Sequence, residues 1–156
     1  VKLAFVCVGG HKEKWLVELT EDYQKRLQFF FKTEVLRLKP SKISRESSNV
    51  KCREECEAIL GQLEAQDFVV LCDEKGKTFT SSNFSKQLVK WFENQKSRIV
   101  FVICGAYGAS ENLKTRANFT LSLSELTFNH HFAQAILMEQ IYRAIAIWKN
   151  LPYHNE

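Results

Sequence analysis

Residues 121–131 read L-S-L-S-E-L-T-F-N-H-H. This stretch decides how the rest of the chain is read. With the residues just before it, it opens on an alternation: Phe119, Leu121 and Leu123 are apolar, and Thr120, Ser122 and Ser124 are polar. A period of two is that of a half-buried strand. The pattern breaks over residues 124–129, and a helical pattern starts near His130. Open α/β sheets bind ligands in loops that leave the carboxyl end of a strand and enter a helix. Backbone amides and the Ser124 and Thr127 hydroxyls are enough here to hold a small polar cofactor. An ordinary strand-to-helix connection has the same local pattern, so the remainder of the chain must decide between them.

Working outward, residues 98–104 (R-I-V-F-V-I-C) and 67–73 (D-F-V-V-L-C-D) are near-continuous apolar runs of strand length. Such runs fit central parallel strands covered on both faces. Residues 2–8 (K-L-A-F-V-C-V) read as a buried first strand that ends at Gly9-Gly10. Residues 33–38 (T-E-V-L-R-L) alternate, as expected for a strand near a sheet edge. Helical spacing is predicted over residues 15–27, with Trp15, Leu16, Leu19, Tyr23 and Leu27 on one face. A charged helix is predicted over 50–63. Another follows S-S-N-F at 81–84, where a serine would cap it, and runs to about Glu93. Gly105-Ala106-Tyr107-Gly108 follows the fourth strand, and Ser110 is placed to cap a short helix. This glycine pair is neither a dinucleotide fingerprint nor a phosphate-binding loop. Strands alternating with helices predict an α/β sheet with right-handed crossovers.

At 156 residues the chain is expected to form one domain with a sizeable core. No apolar run reaches the roughly 20 residues of a membrane span, and no secretory signal is visible. Five cysteines without such a signal point to free thiols in a reducing cytoplasm. Cys52 and Cys56 lack both a C-x-x-C pattern and a partner histidine at finger spacing, so no metal is expected. A net charge of +4 permits contact with nucleic acid without requiring it. Residues 39–49, with Pro40, four serines and several basic side chains, read as a mobile loop that is either simply solvated or in contact with RNA phosphates.

The last helix, residues 130–148, carries apolar side chains over more than half of its circumference, leaving Glu139, Arg143 and Asn150 on the rest. A helix on one sheet needs a stripe only somewhat over 100° wide. The surplus fits either a second subunit, giving a homodimer, or a helix wedged between elements of its own chain. The tail L-P-Y-H-N-E places Tyr153 and His154 where they could fold over a neighbouring site.

Taken together, K-L-x-F-V-x-V-G, D-E-K-G-K, F-V-I-C-G-x-x-G, L-S-L-S-E-L-T-F, M-E-Q-I-Y-R-A and P-Y-H occur in an order and spacing that resemble one family over the whole chain. It is the small RlmH type of SPOUT methyltransferase, which methylates N3 of a pseudouridine in large-subunit ribosomal RNA. The resemblance implies a mostly parallel sheet flanked by helices with a C-terminal trefoil knot, and a homodimer paired through the last helix. It also implies S-adenosylmethionine bound at Cys72, Gly105, Leu123, Ser124, Glu125, Leu126, Thr127 and Phe128. Tyr153 and His154 of one subunit would lie over the cofactor of the other, His154 for proton handling and Tyr153 for stacking. His130 is a second candidate for the proton, with a loop-capping role as its alternative, and His131 reads as incidental. The substrate would be RNA on the assembled ribosome.

Four positions depart from the family pattern. Ala106 stands for a second glycine, Asn129 for proline, and Gln134 and Asn155 for basic residues. The last two motivate an alternative, a relative that binds RNA or the ribosome without transferring methyl groups. A flavodoxin-like nucleotide module is disfavoured because no phosphate-cradling motif is present.

Overall fold

The computed structural model describes residues 1–42 and 47–155. Five strands form one sheet in the order β2-β1-β4-β3-β5, every neighbouring pair parallel. They are β1 (Lys2–Val8), β2 (Thr33–Leu38), β3 (Phe68–Lys77), β4 (Arg98–Ile103) and β5 (Phe119–Leu121). Helices α1 (Lys14–Gln28), α2 (Ser48–Leu60), α3 (Ser81–Asn94), α4 (Glu111–Arg116) and α5 (His130–Trp148) connect or follow them.

The central position of β1 and β4 follows from their side chains. Leu3, Ala4, Phe5, Val6, Cys7 and Val8 are all at most 3% exposed, and their alternation feeds two cores. Leu3, Phe5 and Cys7 join Phe101, Ile103 and the apolar sides of α1, α3 and α5. Ala4, Val6 and Val8 join Val100, Val102 and residues of α2 and α4 on the other face. Phe5 and Phe101 are register partners and stack at 5.6 Å. Each such side chain taken out of water stabilises the fold by about 1.5–3 kcal/mol, so β1 and β4 make the sheet's spine.

The expected edge strand, β2, does lie at an edge, but from Glu34 to Leu38 every residue is half-buried, so neither face stands out as the wet one. The helix predicted over 50–63 begins and ends earlier, at Ser48 and Leu60; Ser47 caps it by accepting from the Val50 amide. Thr80, not a serine, caps α3, accepting from the Asn83 amide. Ser110 caps α4 as expected. The reading of 39–49 as a mobile loop falls, at residues 43–46, outside the described residues. No helix among the described residues is long and apolar enough to cross a membrane.

The apolar breadth of α5 has an explanation within one chain. It lies between α1 and α3 while its buried side packs on the sheet. Three apolar neighbours, rather than one, account for the arc, so the arc alone does not demand a second subunit. The helix is also pinned at its start: Gln134, 1% exposed, donates to the carbonyls of Val8 and Gly9 at 3.3 Å each. Gly10 has φ +96°, and a β-carbon there would sit 3.1 Å from the Gln134 side-chain oxygen and 2.9 Å from Leu16. Position 134, expected to have lost a substrate-facing basic residue, instead holds a structural amide.

The sheet's last strand is attached unusually. Leu121 pairs with both Cys72 and Lys77, because residues 73–76 leave the ladder as a loop and β3 returns to it. The Ser122 amide donates to the Lys77 carbonyl at 3.0 Å. Gly76 faces the β5 backbone so closely that an added β-carbon would lie 2.7 Å from the carbonyl carbons of Thr120 and Leu121. Backbone cannot yield there as a side chain would. Gly76→Ala is therefore expected to lower the unfolding free energy by about 2 kcal/mol, within the usual range for overpacking, as read by urea denaturation; an unchanged midpoint would contradict the close approach.

Candidate active site

A cleft of about 650 Å³ opens beyond the carboxyl ends of β3 and β4, alongside the end of β5. That size and position suit a small-molecule site in an open α/β sheet. Cys72, Ile103 and Cys104 line its base, residues 105–109 form one wall, and residues 123–124 and 126–130 with Ala133 form the other. Of the cofactor-site residues proposed from sequence, Cys72, Gly105, Leu123, Ser124, Leu126, Thr127 and Phe128 all border this one cleft, and so does His130. Glu125 is exposed and does not line it.

The loop after β5 is held in shape by its own polar groups. Ser124 Oγ accepts from the Leu126 amide at 3.0 Å, and Ser122 Oγ donates to the Ser124 carbonyl at 2.9 Å. Thr127 donates to the Glu74 carboxylate at 2.6 Å, tying the loop across to the irregular stretch of β3. Asn129 caps α5 by accepting from the His131 amide at 2.8 Å. Both hydroxyls that the sequence offered to a ligand are thus engaged within the walls. Leu126, 72% exposed, leaves an apolar side chain at the mouth.

Several lining residues carried no assigned role in the sequence reading. Asp73, Glu74 and Lys75 lie in the irregular stretch of β3 between Cys72 and Lys77, and Tyr107 occupies the G-A-Y-G turn. The D-E-K-G-K motif was the available signal, but only the departure of 73–76 from the ladder turns those side chains toward a cleft. Tyr107 is 43% exposed, and Lys51 Nζ lies 5.3 Å from its ring centroid.

The ionisable groups divide by environment. Burial holds the His130 imidazole below its ordinary pKa, with the His131 ring, its centroid 4.2 Å away, adding repulsion. His130 is therefore a neutral base at pH 7. Burial keeps the Cys72 thiol protonated. Behind Cys104, Cys56 accepts from Cys104 and from the Ser110 amide at 3.2 Å, and these donors pull its thiol down to about 6. Cys104 is raised in turn, since its own proton serves that bond. Among the described residues no group of three or more His, Cys, Asp or Glu side chains is placed to hold a metal.

Tyr153 and His154 are not in this cleft. The tail folds back on its own α5, roughly 15 Å along the axis from His130 at 1.5 Å per residue. Tyr153 Oη lies 3.0 Å from both Tyr23 Oη and the Glu139 carboxylate, and Arg143 sits over its ring. Arg143 donates to Glu139 at 2.6 Å and lies 3.2 Å from His154 Nδ1. Burial, together with the bonds to Tyr23 and Glu139, raises the Tyr153 phenol above its usual range, so it stays protonated.

A parallel sheet with this cleft defines an α/β enzyme scaffold, and comparison with known proteins specifies it. The family described as predicted SPOUT methyltransferase matches residues 1–154, and the chain belongs to that family. Proteins named ribosomal RNA large subunit methyltransferase H are similar over nearly their whole length. The one from Bdellovibrio bacteriovorus is 42% identical over 144 residues, 92% of each chain. Those from Christiangramia forsetii and Dictyoglomus thermophilum are each 39% identical over 154 residues, covering 98% and 99% of both chains.

The thiol cluster gives a direct test. Ultraviolet titration of the folded protein is expected to show one thiolate appearing with a midpoint near pH 6, absent in Cys56→Ser. Because the folded value is depressed, the associated stability is full above the unfolded value of 9.0 and declines as pH falls through about 6. A first thiolate appearing only above pH 8 would refute this.

Proposed function

We propose that the protein is an S-adenosylmethionine-dependent methyltransferase acting on N3 of a pseudouridine in large-subunit ribosomal RNA, on the assembled ribosome. The observation that carries this reading is the convergence of the irregular 73–76 stretch of β3, the post-β4 turn and the β5–α5 loop on one cleft in a chain of the SPOUT family. The names of the close relatives favour a catalyst over a non-catalytic RNA-binding relative.

The lining suits the donor. Leu123, Leu126, Phe128, Ala106 and Ile103 offer apolar surface for adenine, while the carboxylates of Asp73 and Glu74 complement a positive sulfonium. When bound, the donor supplies an electrophilic methyl group. The chain's residues then have two tasks. The walls must hold the pyrimidine nitrogen in line with that methyl, a positioning effect. A base must also take the N3 proton, because a protonated ring nitrogen is a poor nucleophile. His130, neutral and in the wall, is the imidazole that one chain offers for this task.

Tyr153 and His154 reach such a cleft only from another subunit. We read the protein as a homodimer in which the partner's tail closes the site, His154 contacting the base or its proton and Tyr153 orienting it. The passage of β5 against the returning end of β3, with Ser122 and Thr127 tied to residues 77 and 74, supports a threaded C-terminal segment.

His154→Ala is expected to leave donor affinity by calorimetry nearly unchanged and to lower labelled-methyl transfer to unmodified ribosomes at least tenfold, as for a group acting in the transition state. Mixing His154→Ala with a cleft variant, Gly105→Trp, should restore transfer that neither has alone. An unchanged rate for His154→Ala, or no restoration on mixing, would reject the shared site.

A further inference from the structure

Lys75 borders the cofactor cleft; two residues on, Lys77 borders a second groove of about 630 Å³. Its other lining residues are Thr78, Phe79, Thr80 and Asn83, with Lys86, Gln87 and Lys90 from α3. Among the described residues no carboxylate lines it. Lys77, Lys86 and Lys90 are all exposed, and among the described residues none of them forms an ion pair. Lys86 and Lys90 stand one helical turn apart, roughly 5–6 Å between β-carbons, where like charges repel. The cleft mouth differs, because there Asp73 and Glu74 offset Lys75, and Lys114 pairs with Glu111 at 3.3 Å. The groove therefore concentrates positive charge that the fold leaves unneutralised.

From this placement we infer that the groove binds the phosphate backbone of the RNA strand whose target base enters the cleft. The three ammonium groups supply charge, and Asn83, Gln87, Thr78 and Thr80 supply neutral donors for phosphate or sugar oxygens. A lipid surface fits less well. Membrane-seated patches pair lysines with exposed large apolar side chains, and none of the chain's exposed ones, such as Trp15, Leu126 and Phe132, lines this groove. The inference rests on the reading of the cleft as a methyl-transfer site, since it extends the track of that site's substrate.

The test is the triple variant Lys77→Glu/Lys86→Glu/Lys90→Glu, assayed with unmodified assembled ribosomes as a function of salt. The expected result is a KM for ribosomes raised at least tenfold, with donor affinity by calorimetry unchanged. The log–log salt slope should fall by about two, as for three lost single-strand phosphate contacts. The triple arginine variant should retain the wild-type KM. Lys25→Glu/Lys32→Glu/Lys96→Glu, with the same net charge, should change KM much less. An unchanged KM and salt slope in the groove variant would overturn the inference, as would an equal effect in the control. If the wild type transfers no methyl group, the proposed function fails separately, and co-sedimentation with ribosomes decides the groove. Lost pelleting of the groove variant alone supports it; equal pelleting overturns it.

Discussion

The approach of one backbone to another, between Gly76 and the Thr120–Leu121 segment, governs the rest of the molecule. β5 has only three residues, too few to hold its place by ladder bonds alone. It is fixed because β3 returns to it after the 73–76 excursion and because no side chain keeps the two apart. That contact has two consequences. It aims the loop after β5 across the carboxyl ends of β3 and β4, and it turns Asp73, Glu74 and Lys75 out of the sheet toward the space so enclosed. The Thr127–Glu74 bond then links both sides. A polar cleft arises from backbone geometry, which is why the loop itself carries few special side chains.

The fixed loop delivers the chain into α5, the most constrained helix of the fold. The sheet lies beneath it, α1 and α3 flank it, and the Gln134 amide ties its first turns to the end of β1. His130, in the first turn, is therefore held by groups at the centre of the sheet rather than by a loose loop. Such a mounting fixes the position of the His130 ring at the wall of the cleft.

Much of this was legible in the sequence because burial on two faces leaves a plain mark. The apolar runs of β1, β3 and β4 give their own limits, and the edge position of β2 shows in its alternation. The bounds of α5 follow from where its pattern begins and from Pro152. Other features had no local mark. β5 looks like a five-residue alternation, yet Leu123 leaves the ladder to line the cleft. The 73–76 excursion is set by contact with a segment over forty residues away, and no spacing rule encodes it. The breadth of the α5 apolar face counts neighbours without saying which chain they belong to. Seven of the eight residues to which the family resemblance pointed border the one cleft, and Glu125 does not. The places of Tyr107 and of the Asp73–Glu74 carboxylates required the folded chain.

The tail's attachment bears on how a catalyst built this way would meet its target. A six-residue extremity free in solution would lose considerable conformational entropy each time it closed over a substrate, about 1–2 kcal/mol for each residue fixed. Here Glu139, Arg143 and Tyr23 of the same chain grip the Tyr153 ring and hydroxyl. Most of that ordering is complete when the molecule folds. Residues 151–155 thus form a rigid fitting that needs little further ordering.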